Sequence, residues 1–150
     1  MRIVIQRVKH ASVVVDNDTI AKIGVGLLIL VWVEEGDTED DCRWLAAKAV
    51  ALRIFNDTAG VMNLSVADIG GRILAVSQFT LTASTRRGNR PSYIRAADHD
   101  LATRLVDLFA TETSRLLGRQ TLTGKFGADM QVELINDGPV TIIIDSRIRE

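Results

Sequence analysis

The sequence predicts an α+β fold, a single domain over residues 1–150 in which two α-helices pack against a curled, barrel-like sheet of mainly antiparallel or mixed strands. Three observations predict it. β-branched residues dominate the first third of the chain, two segments of helical periodicity follow with a strand between them, and the last part returns to β-branched runs. A chain of 150 residues can bury roughly two-thirds of its unfolded surface, which suffices for one core.

Three strands are predicted in the first third of the chain. The first two lie on either side of a tight turn at residues 16–18, Asp-Asn-Asp. The apolar run Ile23–Val33 is predicted to be a third, buried strand, because it is far shorter than the roughly 18 residues that a membrane helix needs. Its Gly24 and Gly26 are expected to form a β-bulge, since a dinucleotide-binding loop would need a third glycine and a helix directly after it.

Two helices are predicted from their caps and their apolar spacing. Thr38 and Asp41 have the spacing of a capping box, and the apolar positions that follow extend this helix to about Phe55. The second helix is predicted over residues 98–117, with Gly118 placed to end it.

The remaining strands are predicted between and after the helices. One strand is expected over Arg72–Leu81. Two more, Met130–Ile135 and Val140–Asp145, are expected to flank a hairpin turn at residues 136–139. The pattern does not define the order of the strands in the sheet.

Composition excludes several classes of protein. The 18 basic and 19 acidic side chains give a net charge of −1, so any nucleic-acid partner must be held by a local basic patch. The single cysteine, Cys42, is expected to be buried and unreactive, and it favours a reducing compartment. Charges interrupt the N-terminus where a signal peptide would be apolar, so a cytoplasmic protein without membrane attachment is expected.

Neither histidine lies in a recognisable catalytic motif. His10 and His99 are expected to be surface or capping residues, and this disfavours a Ser-His-Asp hydrolase. No spacing of potential ligands indicates a metal site, and no motif indicates a cofactor.

Hydrogen-bonding side chains close the apolar strand at residues 77–81, Ser-Gln-Phe-Thr-Leu. On an interior strand they must bond to one another or to a ligand. Strand geometry sends Ser77 and Phe79 to one face and Gln78 and Thr80 to the other. Unless the strand bends, Ser77 and Thr80 cannot face one substrate, and backbone N–H groups at a bend are the stronger candidates for ligand contact.

Two further segments are candidates for binding. A loop over residues 85–95 carries Arg86, Arg87 and Arg90, whose guanidinium groups suit phosphates, although a merely solvated loop fits the composition equally well. At residues 136–141, Asn-Asp-Gly-Pro-Val-Thr, the missing side chain of Gly138 exposes a backbone edge that a ligand can approach closely.

Together these motifs resemble the D-aminoacyl-tRNA deacylase family, in its bacterial and eukaryotic type, also called D-tyrosyl-tRNA deacylase. The resemblance covers the whole chain and is carried by Ser77-Gln-Phe-Thr-Leu81, Arg87-Gly-Asn-Arg-Pro91, Gly124-Lys-Phe-Gly-Ala-Asp-Met130 and Asn136-Asp-Gly-Pro-Val-Thr141. Two departures are Arg87, where many relatives have lysine, and Asp98-His-Asp100, where a proline is common.

The resemblance implies hydrolysis of the ester between a D-amino acid and the 3′-terminal adenosine of tRNA, by a homodimer whose active site lies at the subunit interface. A Gly-cisPro turn at Gly138 and Pro139 would enter the partner's pocket and reject L-aminoacyl-tRNA by steric clash. The implied catalytic residues are Ser77, Gln78, Phe79 and Thr80, and the implied substrate-binding residues are Phe126, Met130, Gly138, Pro139 and Thr141. Arg86, Arg87 and Arg90 are candidate contacts to tRNA.

Alternatives remain at this point. The Thr80 hydroxyl lacks a base in its own motif, so backbone N–H groups near Phe79 and the 2′-hydroxyl of the substrate are the other candidates for the chemistry. A non-catalytic module that binds the tRNA end would bind D-tyrosyl-tRNA without releasing the amino acid. In a dimeric structural protein, substitution of Gly138 would change stability alone.

Overall fold

A computed structural model of the chain describes residues 1–149. In chain order its elements are β1 (Arg2–Val15), β2 (Asp18–Ile23), β3 (Gly26–Trp32), α1 (Glu39–Ala51), β4 (Phe55–Asn56), β5 (Met62–Leu64), β6 (Arg72–Ser77), a 3-10 turn (Phe79–Thr82), α2 (His99–Leu117), β7 (Leu122–Thr123) and β8 (Gln131–Asp145). None of the helices in these residues is long and apolar enough to cross a membrane.

One mixed sheet carries the fold. Its strands follow the order β2-β1-β3-β6-β7, and β8 pairs with the other edge of β1. β1 runs antiparallel to β2, β3 and β8, whereas β3, β6 and β7 are parallel to one another. The sheet curls until β2 lies against β6 and β7, which nearly closes a barrel. The predicted α+β class and the barrel-like mixed sheet are therefore confirmed.

Turn chemistry explains the first connections. Asp16 and Asn17 have φ of 50° and 67°, the left-handed conformation that a two-residue hairpin turn requires. The expected bulge at the two glycines is wrong: the apolar run divides at a bend between β2 and β3. β3 begins at Gly26, where a Cβ atom would overlap the carbonyl oxygen of Arg72, so only glycine permits this close contact with β6.

Both predicted helix caps are present in the structure. The backbone N–H of Asp41 donates to Thr38 Oγ1, and the Asp41 carboxylate accepts from the backbone N–H of Thr38, which completes the predicted capping box. The first helix ends at Ala51 rather than near Phe55, because the chain turns extended and Phe55 joins β4. Gly118 ends α2 as predicted, with φ of 69°.

The sheet separates two apolar clusters. Leu27 of β3 packs with Leu45 of α1 and Phe109 of α2. The next residue, Leu28, points to the opposite face and packs with Leu74 inside the curl. Both faces of the central strands are therefore buried, and functional groups are confined to strand ends, loops and the outer edge of β8.

The expected hairpin near the C-terminus is wrong. β8 is one continuous strand, and its residues on both sides of 137–140 pair antiparallel with β1. The chain therefore does not reverse direction, and residues 137–140 instead bulge out of the ladder opposite Arg7. A local turn signal could not distinguish a reversal from a bulge, because both use the same residue types.

Candidate active site

The polar motif after β6 lies on a bend. β6 ends at Ser77, the backbone N–H of Gln78 donates to the carbonyl oxygen of Val31 at 2.9 Å, and a 3-10 turn follows. The predicted continuation of the strand to Leu81 is wrong, and with it the assignment of alternating faces to Thr80. The Gln78 side-chain amide donates to Thr80 Oγ1 at 2.5 Å, so two of the polar side chains satisfy each other.

Two backbone N–H groups at this bend have no acceptor among residues 1–149. They belong to Phe79 and Thr80, at the start of the 3-10 turn, where no earlier carbonyl can reach them. Within the same part of the chain, no histidine, lysine or carboxylate bonds to the Thr80 hydroxyl. The site therefore offers paired backbone donors for a negatively charged oxygen and lacks an activated side-chain nucleophile.

Two cavities flank the bend and share one wall, made by Ser77, Gln78, Phe79 and Phe126. The first has a volume of about 260 Å³ and also contains Met130. The second has a volume of about 230 Å³ and extends to α2. The structure thus brings together Phe126, Met130 and the motif at residues 77–79 around one cavity.

Gly124 explains how Met130 reaches this position. Its backbone N–H donates to the carbonyl oxygen of Ala75, which fixes the segment beside β6. A Cβ atom on Gly124 would lie 2.6 Å from Met130 Sδ, so the glycine leaves the space that the thioether fills. The sequence motif contained this residue, but its packing role depends on a contact between segments.

His99 was expected at the surface or as a cap, yet it also contacts the site. Its side chain is exposed on one side, but its ring lies edge-to-face on Phe126, with centroids 5.0 Å apart. It also lines the second cavity. No local pattern indicates this contact, because it arises from the docking of α2 beside the 124–130 segment.

Gly138 and Pro139 lie elsewhere in the chain. Their peptide bond is cis, and both residues are exposed. β1 and β3 lie between β8 and β6 in the sheet, a path of about 14 Å along the sheet at the usual strand spacing. Neither residue lines the two cavities, and neither does Thr141, which is exposed and pairs with Gln6. One chain does not bring these residues to the bend.

Arg7 holds the bulge in place. It is 8% exposed, and its Nε donates to the carbonyl oxygen of Asp137 at 2.9 Å. Its Nη1 donates to the carbonyl oxygen of Ile54 at 2.5 Å. Gly138 has φ of 119°, and a Cβ atom there would lie 2.6 Å from Arg7 Nη2. The bulge is therefore a fixed feature, tied to β1 by a buried guanidinium.

The arginine loop forms a pocket of about 660 Å³. We call it the arginine pocket; it is lined by Ser84, Arg86, Arg87, Arg90, Ser92, Ile94 and Arg95. Two backbone hydrogen bonds between Ser84 and Ser92, of 2.9 and 3.0 Å, close the loop at its base. Arg95 pairs with Glu34 at 3.3 Å, whereas the other three arginines have no carboxylate partner in the described chain.

Cys42 takes no part in the site. It is buried in α1, and its thiol donates to the carbonyl oxygen of Leu105 at 3.5 Å. Burial, together with the nearby Glu112 carboxylate, raises its pKa to about 12. The expectation of a buried thiol is confirmed, and its low reactivity stays a prediction. Residues 1–149 contain no cluster of three or more His, Cys, Asp or Glu side chains that could hold a metal ion.

Comparisons with known proteins identify the family of the chain. The family model described as D-Tyr-tRNA(Tyr) deacylase matches residues 4–145. The D-aminoacyl-tRNA deacylases of Akkermansia muciniphila and Dechloromonas aromatica are 59% and 57% identical to the chain over 150 residues, and each alignment covers 100% of both proteins.

Solved structures share the fold. A c-Myc DNA Unwinding Element Binding Protein superimposes with a TM-score of 0.91 at 37% identity, covering 97% of this chain and 98% of that one. A probable eukaryotic D-amino acid tRNA deacylase superimposes with a TM-score of 0.82 at 16% identity, covering 95% and 97%. The second likeness supports the fold alone.

The family model and these relatives define the chain as a deacylase, a class of hydrolase. It belongs to the D-Tyr-tRNA(Tyr) deacylase family, which confirms the resemblance drawn from its four motifs.

Proposed function

We propose that this chain, as a single domain over residues 1–150, hydrolyses D-aminoacyl-tRNA in the cytoplasm to free D-amino acid and tRNA, and that it rejects L-aminoacyl-tRNA. The observation that carries the proposal is the pair of unsatisfied N–H groups at Phe79 and Thr80, set beside the cavity that contains Phe126 and Met130. The family to which the chain belongs supports the choice of substrate.

The terminal adenosine occupies the cavity of about 260 Å³. Phe126 offers an aromatic face and Met130 a polarisable thioether, which together suit a stacked base. Ser77 and Gln78 line the same cavity and provide hydrogen-bonding groups for the ribose. This arrangement delivers the ester to the bend, where the backbone donors lie.

The chemistry needs no side-chain nucleophile. Water adds to the ester carbonyl carbon and passes a proton to solvent through the vicinal 2′-hydroxyl of the substrate. The N–H groups of Phe79 and Thr80 stabilise the resulting oxyanion. The bond from the carbonyl carbon to the ribose 3′-oxygen then breaks, and that oxygen takes up a proton. Thr80, which accepts a hydrogen bond from Gln78, keeps the bend in shape.

Chiral selection comes from the bulge of a second copy. The carbonyl groups of Gly138 and Pro139 hold the α-amino group of the substrate, and the fixed backbone leaves no room for the side chain of an L-residue. Within one chain the bulge lies on β8, with β1 and β3 between it and β6, and it lines neither cavity, which supports this division of the site between two copies. Thr141 flanks the bulge and contributes a hydroxyl to the same surface.

The outer edge of β8 supports a homodimer. The strand pairs only with β1, so one side of its backbone has no partner among residues 1–149. Ile135 and Ile143 on this strand are 49% and 66% exposed. A two-fold axis beside β8 would cover these side chains and bring each bulge to the neighbouring copy, because such an interface uses the same surface twice.

The three unpaired arginines, Arg86, Arg87 and Arg90, contact tRNA phosphates. They supply the local basic patch that a chain of net charge −1 needs in order to bind RNA. Binding to tRNA is then expected to weaken as salt is added, because phosphate contacts release condensed counterions.

Paired hydrolysis assays test the proposal. Wild-type protein is incubated with D-tyrosyl-tRNA and with L-tyrosyl-tRNA, and the release of free tyrosine is measured. We expect fast release from the D-substrate and release at the uncatalysed rate from the L-substrate. Binding of D-tyrosyl-tRNA without release would contradict the proposal and favour a non-catalytic module. A monomer in sedimentation at micromolar concentration would contradict the shared site.

A further inference from the structure

We propose that Phe79 and Tyr93 form a stacking platform for an unpaired base of the RNA strand that precedes the terminal adenosine. The platform would lead this strand from the ester to the arginine pocket. The inference rests on the proposed function, since it assumes that the terminal adenosine lies beside Phe126.

The two rings are unusually accessible for large aromatic side chains. Phe79 is 59% exposed and Tyr93 is 37% exposed. Their centroids lie 5.2 Å apart with an interplanar angle of 64°, so they support each other edge-to-face. The pair therefore presents aromatic surface to solvent, where a planar ligand can stack on it.

The position of Phe79 and Tyr93 indicates which ligand they would bind. Phe79 lines both cavities at the bend. Tyr93 lies between Ser92 and Ile94, which both line the arginine pocket. Phe79 thus joins the cavities to Tyr93, and Tyr93 lies in the chain segment that forms one side of the arginine pocket. A strand that leaves the site toward this pocket would pass over the two rings.

The charge along this path favours a nucleic-acid strand. The arginine pocket has no acidic lining residue, and Arg86, Arg87 and Arg90 have no carboxylate partner within residues 1–149. Aromatic rings next to unpaired guanidinium groups bind single strands by stacking the bases and neutralising the phosphates. An acidic peptide would use the arginines but would gain little from the rings.

The first test is a spectroscopic one on the wild-type sequence. Tyr93 is the only tyrosine, so biosynthetic incorporation of 3-fluorotyrosine gives a single ¹⁹F resonance. We expect the ribotrinucleotide CpCpA to shift this resonance and adenosine alone to leave it in place. A resonance that responds to neither probe, or equally to both, would overturn the proposal. Because this measurement needs no turnover, its failure is distinct from failure of D-tyrosyl-tRNA hydrolysis.

The second test is kinetic. D-tyrosyl-tRNA is compared with D-tyrosyl-adenosine, which lacks the preceding strand. We expect Tyr93→Ala to raise KM for D-tyrosyl-tRNA about tenfold relative to KM for D-tyrosyl-adenosine. A change of this size is within the range for the loss of one stacked base. Tyr93→Phe, which keeps the ring, is expected to restore the ratio. An unchanged ratio for Tyr93→Ala, or an equal rise of both KM values, would mean that the ring serves only to hold the loop.

Salt dependence separates stacking from charge. Arg87→Ala removes a phosphate contact, so it should reduce the slope of log KM against log salt concentration by about 0.7 for a single strand. Tyr93→Ala should leave that slope as in the wild type. If the tyrosine variant instead reduced the slope, its effect would come from displaced arginines, and the stacking platform would be wrong.

Discussion

Substitution of Gly138 by alanine is the sharpest perturbation of the bulge. The residue has φ of 119°, a conformation that costs an L-residue about 1–3 kcal/mol. The new Cβ atom would also lie 2.6 Å from Arg7 Nη2, about 1 Å inside an ordinary contact. Arg7 cannot withdraw freely, because it donates to the carbonyl oxygens of Asp137 and Ile54.

Strain and contact together should lower the stability of the folded chain by about 2–4 kcal/mol, and Tm by about 4–16 °C for a chain of this size. The bulge is expected to move by about 1 Å, and misplacements of this size can change rates about 100-fold. We therefore expect the ratio of kcat/KM for D-tyrosyl-tRNA over L-tyrosyl-tRNA to fall at least about tenfold.

A matched control comes from Gly60. It also has a positive φ, of 79°, but no other part of residues 1–149 comes within 4 Å of its Cβ position. Gly60→Ala should therefore show only the backbone effect, about 1–2 kcal/mol, with an unchanged D/L ratio. If Gly138→Ala lowered Tm but kept the D/L ratio of this control, the bulge would have a structural role only, and the proposed selection would be refuted.

Substitutions at Arg7 and Thr80 and the titration of Cys42 test three other features of the structure. Arg7→Met removes both donors to the carbonyl oxygens of Asp137 and Ile54. The free energy of unfolding, measured in urea, should therefore fall by about 2–4 kcal/mol, and the D/L ratio of kcat/KM should fall as well. Wild-type stability of this variant would contradict the role of Arg7. Thr80→Ala should retain D-tyrosyl-tRNA hydrolysis within about tenfold, because the backbone donors remain, and a fall to the uncatalysed rate would restore a hydroxyl mechanism. The pKa of Cys42 is about 12 in the folded chain, above its ordinary value of 9.0, so the free energy of unfolding should fall as the pH rises through this interval. Alkylation of the Cys42 thiol by iodoacetamide at pH 8 should require unfolding.

Local chemistry explains which elements could be predicted. Positive φ at Asp16 and Asn17, the capping box at Thr38 and the left-handed Gly118 are each decided within a few residues of chain, and each appears as predicted. The continuity of β8 is decided by pairing with β1, more than a hundred residues away in sequence. A pattern of strand, turn and strand cannot carry this information.

In the candidate site, too, some features are decided by nearby residues and others by contacts between distant segments. Polar residues that close an apolar strand indicated a site at residues 77–80, but the bend that frees the N–H groups of Phe79 and Thr80 depends on the chain leaving β6 for a 3-10 turn. The contact of His99 with Phe126 depends on how α2 docks. Arg7 gave no signal in the sequence, because its partners are backbone carbonyl groups of distant segments.

A mixed dimer tests most directly whether the site is shared between copies. One subunit carries Phe126→Ala, which removes the aromatic ring from the wall that the two cavities share, and the other carries Gly138→Ala. If the bulge serves the neighbouring copy, one composite site stays intact, and we expect the purified heterodimer to keep about half of the wild-type rate on D-tyrosyl-tRNA with the full D/L ratio. If the bulge serves its own chain, every site carries a defect, and loss of D-selective hydrolysis in the heterodimer would contradict the shared site.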